Sequence, residues 1–375
     1  MNFDLSDEQR LLGDTIDRLI ERDYSFEQRG ACLQEAGGWS RRFWGLLAEQ
    51  GFLALPFDAA HGGLGYGPVE TMLVMEALGR GLVVEPYLST VVVAGSVLRT
   101  AAPDAVLDTL VPAIASGERV LTLAAFEKQA RYDLAAVATT ARADGDGFVL
   151  DGRKILVPHG DSADTIIIAA REAGGPRDRD GISLFLVDAD AAGLTRHGYR
   201  TQDGVPAADL TLEQVRVGSG ALLGEQGRGL PALELARDHA IAALAAEAVG
   251  AMQATLDMTV DYLGQRRQFG GPIGRFQALQ HRAAEMLIEV EQARSMAILG
   301  ALTVAEREGE ARSRELLAVK HRIGRSGRLV GELAVQLHGG IGVSAEYAVG
   351  HYLRRLAMID LSFGDSEHCL EALAA

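Results

Sequence analysis

Two stretches of the sequence decide the fold. Residues 262–273 read YLGQRRQFGGPI, and residues 336–343 read QLHGGIGV. Each places glycines next to a long helical pattern, so each is predicted to end a helix and begin a loop. Upstream of the first stretch, apolar residues recur every fourth position, as in a helix packed in a bundle; they are Leu244, Ala248, Met252, Leu256 and Val260. The C-terminal part of the chain is therefore predicted to be a helical bundle.

Further upstream the pattern changes twice. Between about residues 120 and 224, short apolar runs such as FVLDGRKILV at 148–157 are separated by Asp and Gly turns, which predicts strands. From Ser6 to about Gly117 the period is helical again. The sequence thus predicts an α+β multidomain protein. Its three domains are an N-terminal α-helical domain over 1–118, a middle antiparallel β domain over 119–225 and a C-terminal four-helix bundle over 226–375.

Composition excludes several classes of protein. Asp and Glu outnumber Lys and Arg by 51 to 36 in 375 residues, and a net charge of −15 argues against a nucleic-acid partner. The longest apolar stretches are too short or too interrupted to span a membrane. Cys32 and Cys369 lie far apart without metal-like spacing, and no secretory leader is visible. We expect a cytoplasmic protein with no metal site.

The two stretches, at their separation, resemble the acyl-CoA dehydrogenase family. Weaker matches extend the resemblance over essentially the whole chain; they are GGLG at 62–65, DGRK at 151–154 and LLGEQGRG at 222–229. The resemblance implies an oxidoreductase that uses FAD to form the α,β double bond of an acyl-CoA substrate. It also implies the three-part fold that the patterns predict.

The resemblance assigns a cofactor-binding role to Arg266, Phe269, Gln336, Gly339 and Gly340. In the family, this region grips the diphosphate and adenosine half of an FAD bound mainly by the neighbouring protomer, which implies at least a dimer. Arginine offers a planar, charged fork that suits a diphosphate, and the two glycines permit close backbone approach. Taken alone, Arg266 could instead be a solvated cation at a helix end.

The middle domain departs from the family pattern. Residues 126–133 read FEKQARYD where the family has Thr-Glu-Pro and Gly-Ser-Asp strings, so that only Glu127 and Asp133 remain. These two could simply be loop carboxylates. Residues 156–158 read LVP where the family has Trp-Ile-Thr against the flavin ring, so a hydroxyl is lost and proline supplies no donor. We expect weakened flavin contacts from this domain.

The family's catalytic base is also missing. The base removes a proton from the carbon next to the thioester while a hydride passes to the flavin. Counting from Gln336 without gaps, the family's Tyr-Glu-Gly-Thr string falls on SFGD at 362–365, so that the base position is Phe363. Some family members carry the glutamate on the first long bundle helix, but that position aligns with Ala240.

Two carboxylates are candidate catalytic residues in place of the missing base. Glu247 lies in an apolar helix, where burial would raise its pKa towards the useful range, or where it could form an ion pair across the bundle. Asp365 lies beside Phe363 on a predicted loop, together with Glu367 and His368, where such groups are often only solvated. Both alternatives stay open for each residue.

The combination of Phe363, the AEAVG helix at 246–250 and the altered middle domain resembles the small or β-type subunits of heteromeric acyl-CoA dehydrogenases, such as the pimeloyl-CoA dehydrogenase small subunit. Such subunits pair with a larger acyl-CoA dehydrogenase chain and act on bulky or dicarboxylic substrates. Three functions remain open: a self-sufficient dehydrogenase or homo-oligomer, a non-catalytic partner that donates half of a flavin site, and a flavin oxidase or monooxygenase.

Overall fold

The structure is a computed structural model that describes residues 4–374. Those residues form two compact units. The helical unit comprises residues 4–30, 68–83 and 241–374, and the sheet unit comprises residues 31–67 and 84–240. Along the chain, the order of elements is helical, then β, then helical, which confirms the predicted fold class.

The helical unit begins with α1 (Asp7–Asp23), followed by α2 (Phe26–Cys32) and α4 (Pro68–Arg80). Ser6 caps α1: its hydroxyl accepts from the Gln9 N–H at 3.1 Å, and the Gln9 side chain accepts from the Ser6 N–H at 2.9 Å. This reciprocal pair satisfies two backbone donors at the helix start. The predicted helix start at Ser6 is confirmed.

The C-terminal helices are α7 (Leu230–Gln265), α8 (Gln277–Glu306), α9 (Gly309–His338), α10 (Val349–Leu361) and the short α11 (Ser366–Ala374). Four of the five residues in the predicted fourfold row on α7 are buried. The prediction for the fifth is wrong, because Val260 is half exposed near the end of the helix. No helix within residues 4–374 is long and apolar enough to cross a membrane.

Two glycines let α4 and α7 approach at backbone distance. A Cβ added at Gly79 would lie 2.0 Å from the Glu247 carbonyl oxygen, and one added at Gly250 would lie 1.8 Å from the Glu76 carbonyl oxygen. Ordinary carbon–oxygen contacts need well over 3 Å. Glycine at both positions is therefore a condition of this helix crossing.

Ion pairs surround the crossing. Arg294 of α8 donates to Glu76 of α4 at 2.6 Å, and Arg80 at the end of α4 donates to Asp17 of α1 at 2.8 Å. Arg294 also donates to the Gln253 side chain of α7 at 3.1 Å. Side chains from four helices are thus linked around the point where α4 meets α7.

The sheet unit holds the β strands. They are β1 (Leu121–Ala124), β2 (Thr140–Asp144), β3 (Gly147–Pro158), β4 (Thr165–Arg171), β5 (Ile182–Asp188), β6 (Leu194–Arg200), β7 (Pro206–Gly218) and β8 (Leu222–Leu223). The order is β6-β7-β3-β2-β4-β5-β8, with β1 paired to β4. Most pairs are antiparallel, as predicted.

The pairing of β1 with β4 is parallel, which the antiparallel prediction missed. Every residue of β4 is buried, and its run TIIIAA shows no alternation. Such continuous apolar runs are typical of strands covered on both faces. The sheet is therefore mixed rather than wholly antiparallel.

Helices α3 (Arg41–Glu49), α5 (Gly95–Ala101) and α6 (Asp104–Ala115) also belong to the sheet unit, together with a π-helical stretch at Leu88–Ala94. Within that stretch, the Thr90 hydroxyl donates to the Leu121 carbonyl at 2.8 Å and accepts from the Leu121 N–H at 3.2 Å. Thr90 thereby satisfies both backbone groups of the first residue of β1.

The variant Gly250→Ala should lose about 3 kcal/mol of unfolding free energy, because its methyl group would overlap the Glu76 carbonyl. Gly264→Ala, on the same helix with no atom within 4 Å of the added Cβ, should change stability by no more than about 1 kcal/mol, in the stabilising direction. Urea unfolding measures both. Equal effects would contradict the role of the close crossing.

Candidate functional site

The segment after α7 is a tight β-hairpin. Its strands are β9 (Arg267–Gln268) and β10 (Gly271–Pro272), and the turn residues Phe269 and Gly270 have φ values of 50° and 83°. Two consecutive positive φ values define the turn that suits a two-residue hairpin. The turn leaves the Phe269 ring 81% exposed. Sequence reasoning predicted a loop here and missed the hairpin.

His338, at the end of α9, joins this hairpin region to the second glycine-rich stretch. Its ring stacks on Tyr262 of α7 at 4.5 Å between centroids, and its Nε2 lies 3.3 Å from the Tyr347 hydroxyl. Its Nδ1 donates to the Ala334 carbonyl at 2.8 Å. Burial lowers the pKa of His338, which favours the neutral ring. The ends of α7 and α9 therefore lie together at one end of the bundle.

The five predicted cofactor-binding residues all belong to this bundle end. Arg266 follows the stacked Tyr262 by one helical turn, and Gln336, Gly339 and Gly340 flank His338. Arg266 and Gln336 are exposed, as are both glycines. The structure brings these residues into one region of the helical unit.

Two groups in this region have no partner within the described part of the chain. The Arg266 guanidinium makes no hydrogen bond or ion pair with any other residue from 4 to 374. A Cβ on Gly340 would meet nothing within 4 Å, and its φ is not in the left-handed region, so the chain itself does not require glycine there. An unpaired guanidinium and an open stretch of backbone are the kinds of group that bind a diphosphate in proteins.

Position 363 is filled by an aromatic side chain. Phe363 has a φ of 58° and lies between α10 and α11. Its ring packs against a buried apolar cluster of Ile241 and Ala242 of α7, Val304 of α8 and Leu316 of α9. Where the family resemblance places a carboxylate, this chain thus has an apolar contact between helices.

Glu247 forms a bidentate ion pair. Its two carboxylate oxygens accept from Arg355 of α10, with Nε–Oε1 at 2.5 Å and Nη2–Oε2 at 2.8 Å. The Glu247 side chain is 6% exposed and that of Arg355 is 15% exposed. This is the ion pair across the bundle that the sequence analysis gave as the alternative to a catalytic base.

Asp365 caps a helix. Its carboxylate accepts from the His368 N–H at 2.7 Å, in the first turn of α11, and its carbonyl accepts from the Cys369 N–H at 2.9 Å. A side-chain acceptor at this position satisfies a backbone donor that the helix leaves unpaired. The structure therefore gives Asp365 a local structural contact beside Phe363.

Glu127 lies on the loop that follows β1, as the sequence analysis allowed, but its side chain is buried. It accepts from the buried Lys154 at 2.7 Å and from the N–H groups of Ala138 and Thr139 at 2.8 and 3.0 Å. Burial alone would raise the pKa of Glu127, but Lys154 and Thr139 outweigh that effect and lower it from 4.5 to about 2. Asp133, in contrast, pairs with Arg177 near the surface.

The strand that would face a flavin ring uses its donors within the chain. The Leu156 N–H donates to the Asp209 carboxylate at 3.1 Å, and Pro158 has no N–H. The Pro158 carbonyl accepts from the Thr122 hydroxyl at 2.6 Å. The sheet unit thus matches a flavin ring less well than the bundle end matches a diphosphate.

The burial of two lysines was not predicted from the sequence. Lys154 and Lys320 are both fully buried, and the whole chain has only one other lysine, Lys128. Lysine in apolar surroundings is uncommon because desolvation of the ammonium is costly. Their position within the apolar runs RKILV and LAVKH was the available signal.

Comparisons with known proteins place the chain in a family. The N-terminal domain of acyl-CoA dehydrogenase matches residues 6–118, the middle domain matches 122–215 and the C-terminal domain matches 227–375. The chain is 31% identical over 381 residues to benzylmalonyl-CoA dehydrogenase of Aromatoleum aromaticum, covering 98% of this chain and 97% of that protein. The chain belongs to the acyl-CoA dehydrogenase family.

Other relatives extend the comparison. A 3-(aryl)acrylate reductase of Clostridium sporogenes is 29% identical over 86% of each chain. A solved variant of the Tcur3481-Tcur3483 steroid ACAD is 30% identical with a TM-score of 0.88, covering 98% of this chain and 97% of that one. The ChsE4-ChsE5 complex of Mycobacterium tuberculosis, at 24% identity and a TM-score of 0.89, shares the fold.

The variant Glu247→Gln should lose about 3–5 kcal/mol of unfolding free energy, because it leaves the Arg355 guanidinium buried without its counter-charge. The double variant Glu247→Gln with Arg355→Met should recover much of that loss. Urea unfolding of the single and double variants measures the coupling. A stable single variant that lacks only activity would favour Glu247 as a base instead.

The Glu127–Lys154 pair should make stability fall in acid. Because the pKa of Glu127 is lower in the folded chain than in the unfolded chain, its contribution is complete above about pH 4.5 and declines as the pH falls towards 2. The double variant Glu127→Gln with Lys154→Met should show a shallower loss over that range. Parallel acid titrations followed by circular dichroism check this; identical curves would contradict it.

Proposed function

We propose that this chain is the small, flavin-sharing subunit of a heteromeric acyl-CoA dehydrogenase. In this proposal Arg266, Phe269, Gln336, Gly339 and Gly340 contact the diphosphate and adenosine half of an FAD that is seated mainly in a larger partner subunit. The isoalloxazine ring and the acyl-CoA substrate lie in the partner's half of the shared site. The chain then supports dehydrogenation without carrying the base.

The observation that carries the proposal is the apolar packing of Phe363. A proton next to a thioester carbonyl is removed only by a basic group that reaches it, and the Phe363 ring has none. The two candidate replacements are engaged elsewhere, Glu247 with Arg355 and Asp365 with the start of α11. A self-sufficient enzyme based on either carboxylate would have to break these contacts.

The bundle end supports the other half of the proposal. When bound, the flavin supplies the hydride acceptor of the reaction. This chain's own contribution is binding: Arg266 offers two parallel N–H donors to a phosphate, and Gly340 admits the ligand to the backbone. The exposed Phe269 ring offers a flat apolar surface next to these groups.

The relatives support a bulky acyl-CoA thioester as substrate. Benzylmalonyl-CoA dehydrogenase and the Tcur3481-Tcur3483 steroid ACAD are named for large acyl groups, and the second name joins two components. By this analogy the heteromer would oxidise a CoA thioester whose acyl group is ring-bearing.

Co-expression tests the subunit proposal. Purified alone, the chain should contain well under one FAD per protomer. When acyl-CoA is added in the absence of oxygen, the absorbance of any flavin that it does carry should not decrease. Co-expressed with a larger family member from the same genome that retains the glutamate, it should copurify as a yellow heteromer. A yellow homo-oligomer that oxidises acyl-CoA at ordinary family rates falsifies the proposal, and oxygen consumption without an added acceptor would indicate an oxidase.

Arg266→Met should weaken FAD binding by the heteromer about tenfold or more, because one charge-assisted contact to phosphate is worth about 1.5–3 kcal/mol. The matched control is Arg325→Met, since Arg325 is an exposed arginine of α9 outside the bundle end. Flavin fluorescence after stepwise dilution measures retention. Equal retention in both variants would remove Arg266 from the site.

A further inference from the structure

The loop that carries Phe363 is held by a buried ammonium group. Lys320 of α9 is fully buried, and its Nζ donates to the Asp360 carbonyl at 2.6 Å and to the Gly364 carbonyl at 2.7 Å. These two carbonyls lie on either side of Phe363 in the chain. One side chain therefore ties together both ends of the turn.

Neighbouring contacts fix the same loop. His321 Nδ1 donates to the Ser366 carbonyl at 2.8 Å, and the Asp360 carboxylate accepts from the Ser366 N–H at 3.0 Å. The approach is close, because a Cβ added at Gly324 would lie 1.9 Å from Asp360 Oδ1. The residues on either side of Phe363 are thus bonded to α9 or to each other.

Lys320 and Leu316, a residue of the apolar cluster against which Phe363 packs, lie on the same face of α9. Leu316 precedes Lys320 by four residues, so the two side chains lie one turn apart on α9. The Phe363 ring packs against the apolar cluster that includes Leu316, while Lys320 donates to the backbone on both sides of Phe363. Phe363 also has a φ of 58°, which a phenylalanine rarely adopts without such constraint.

We propose that Lys320 is the positioning residue for the side chain at position 363. Its ammonium holds the backbone of residues 360–364 in the turn that aims side chain 363 between α7, α8 and α9, whatever that side chain is. The packing of the Phe363 ring then follows from the turn and does not create it. This role goes beyond flavin sharing and holds whether or not the chain has a larger partner.

The desolvation of Lys320 supports a specific role for the ammonium. Burial lowers the pKa of Lys320, against the attraction of Asp360 and Asp365. A neutral apolar residue would avoid that penalty but could not bond two carbonyls. Lys and Arg together number 36 in the chain, but only three of these residues are lysines, and Lys320 is one of the three.

The first test follows side chain 363 with a fluorinated phenylalanine at that position in the full-length chain, by fluorine NMR. In wild type we expect one resonance well separated from that of the unfolded chain. Lys320→Met should broaden or split it and move it towards the unfolded position. The control Val319→Ala, at a buried neighbour that faces Gly300 of α8, should destabilise the fold and leave the resonance in place. An unmoved resonance in Lys320→Met overturns the proposal.

The reciprocal test does not require Lys320→Met to fold. With only three lysines, of which Lys128 is exposed, lysine-labelled protein should show two ammonium signals protected from solvent exchange. The Glu127→Gln, Lys154→Met variant removes one of them and so identifies that of Lys320. Phe363→Ala should leave the Lys320 signal protected, because the hydrogen bonds from Lys320 to the Asp360 and Gly364 carbonyls do not depend on the ring. Loss of that signal in Phe363→Ala would show that ring packing positions the loop, and the proposal would fail.

Discussion

The helical unit depends on the contact between α4 and α7, where two glycines, lacking side chains, allow the two backbones to touch. A methyl group at either site would come within about 2 Å of a carbonyl oxygen, and no side-chain rotation relieves such an overlap. The contact fixes the backbone of α7 at Glu247, whose carboxylate then meets Arg355 of α10. It also fixes Glu76 of α4, which meets Arg294 of α8. A backbone constraint thus determines which charged groups can pair.

The sequence predicted the fold well because its signals are local. Ser6 caps the start of α1, the fourfold row marks α7, and Asp and Gly turns separate the strands. Distant partners were harder to predict. Glu247 pairs with a residue 108 positions away, so its sequence context left both a base and an ion pair open. The hairpin was missed because its turn uses phenylalanine at positive φ, where sequence patterns favour Asn, Asp or Gly.

The candidate functional residues fall into two groups with different chemistry. At the bundle end, Arg266 is uncommitted and Gly340 is open, so binding groups remain available to an outside ligand. In the second group, donors and carboxylates are satisfied within the chain. Leu156 and Glu127, at positions that the family uses for ring contacts, are bonded to Asp209 and Lys154, and the candidate replacement base Glu247 is paired with Arg355. Buried groups paired in this way stabilise the fold and are poorly available for catalysis.

The scarcity of lysine has a practical consequence for studying assembly. Lys154 and Lys320 are shielded within the fold, so Lys128, on the segment between β1 and β2, is the exposed side-chain amine among residues 4–374. Apart from the α-amino group, an amine-reactive cross-linker should therefore attach to this protein at Lys128. Each cross-linked peptide from another subunit would then identify a residue that lies within the linker's length of Lys128. A set of linkers of different lengths would therefore locate the partner's surface relative to this one residue.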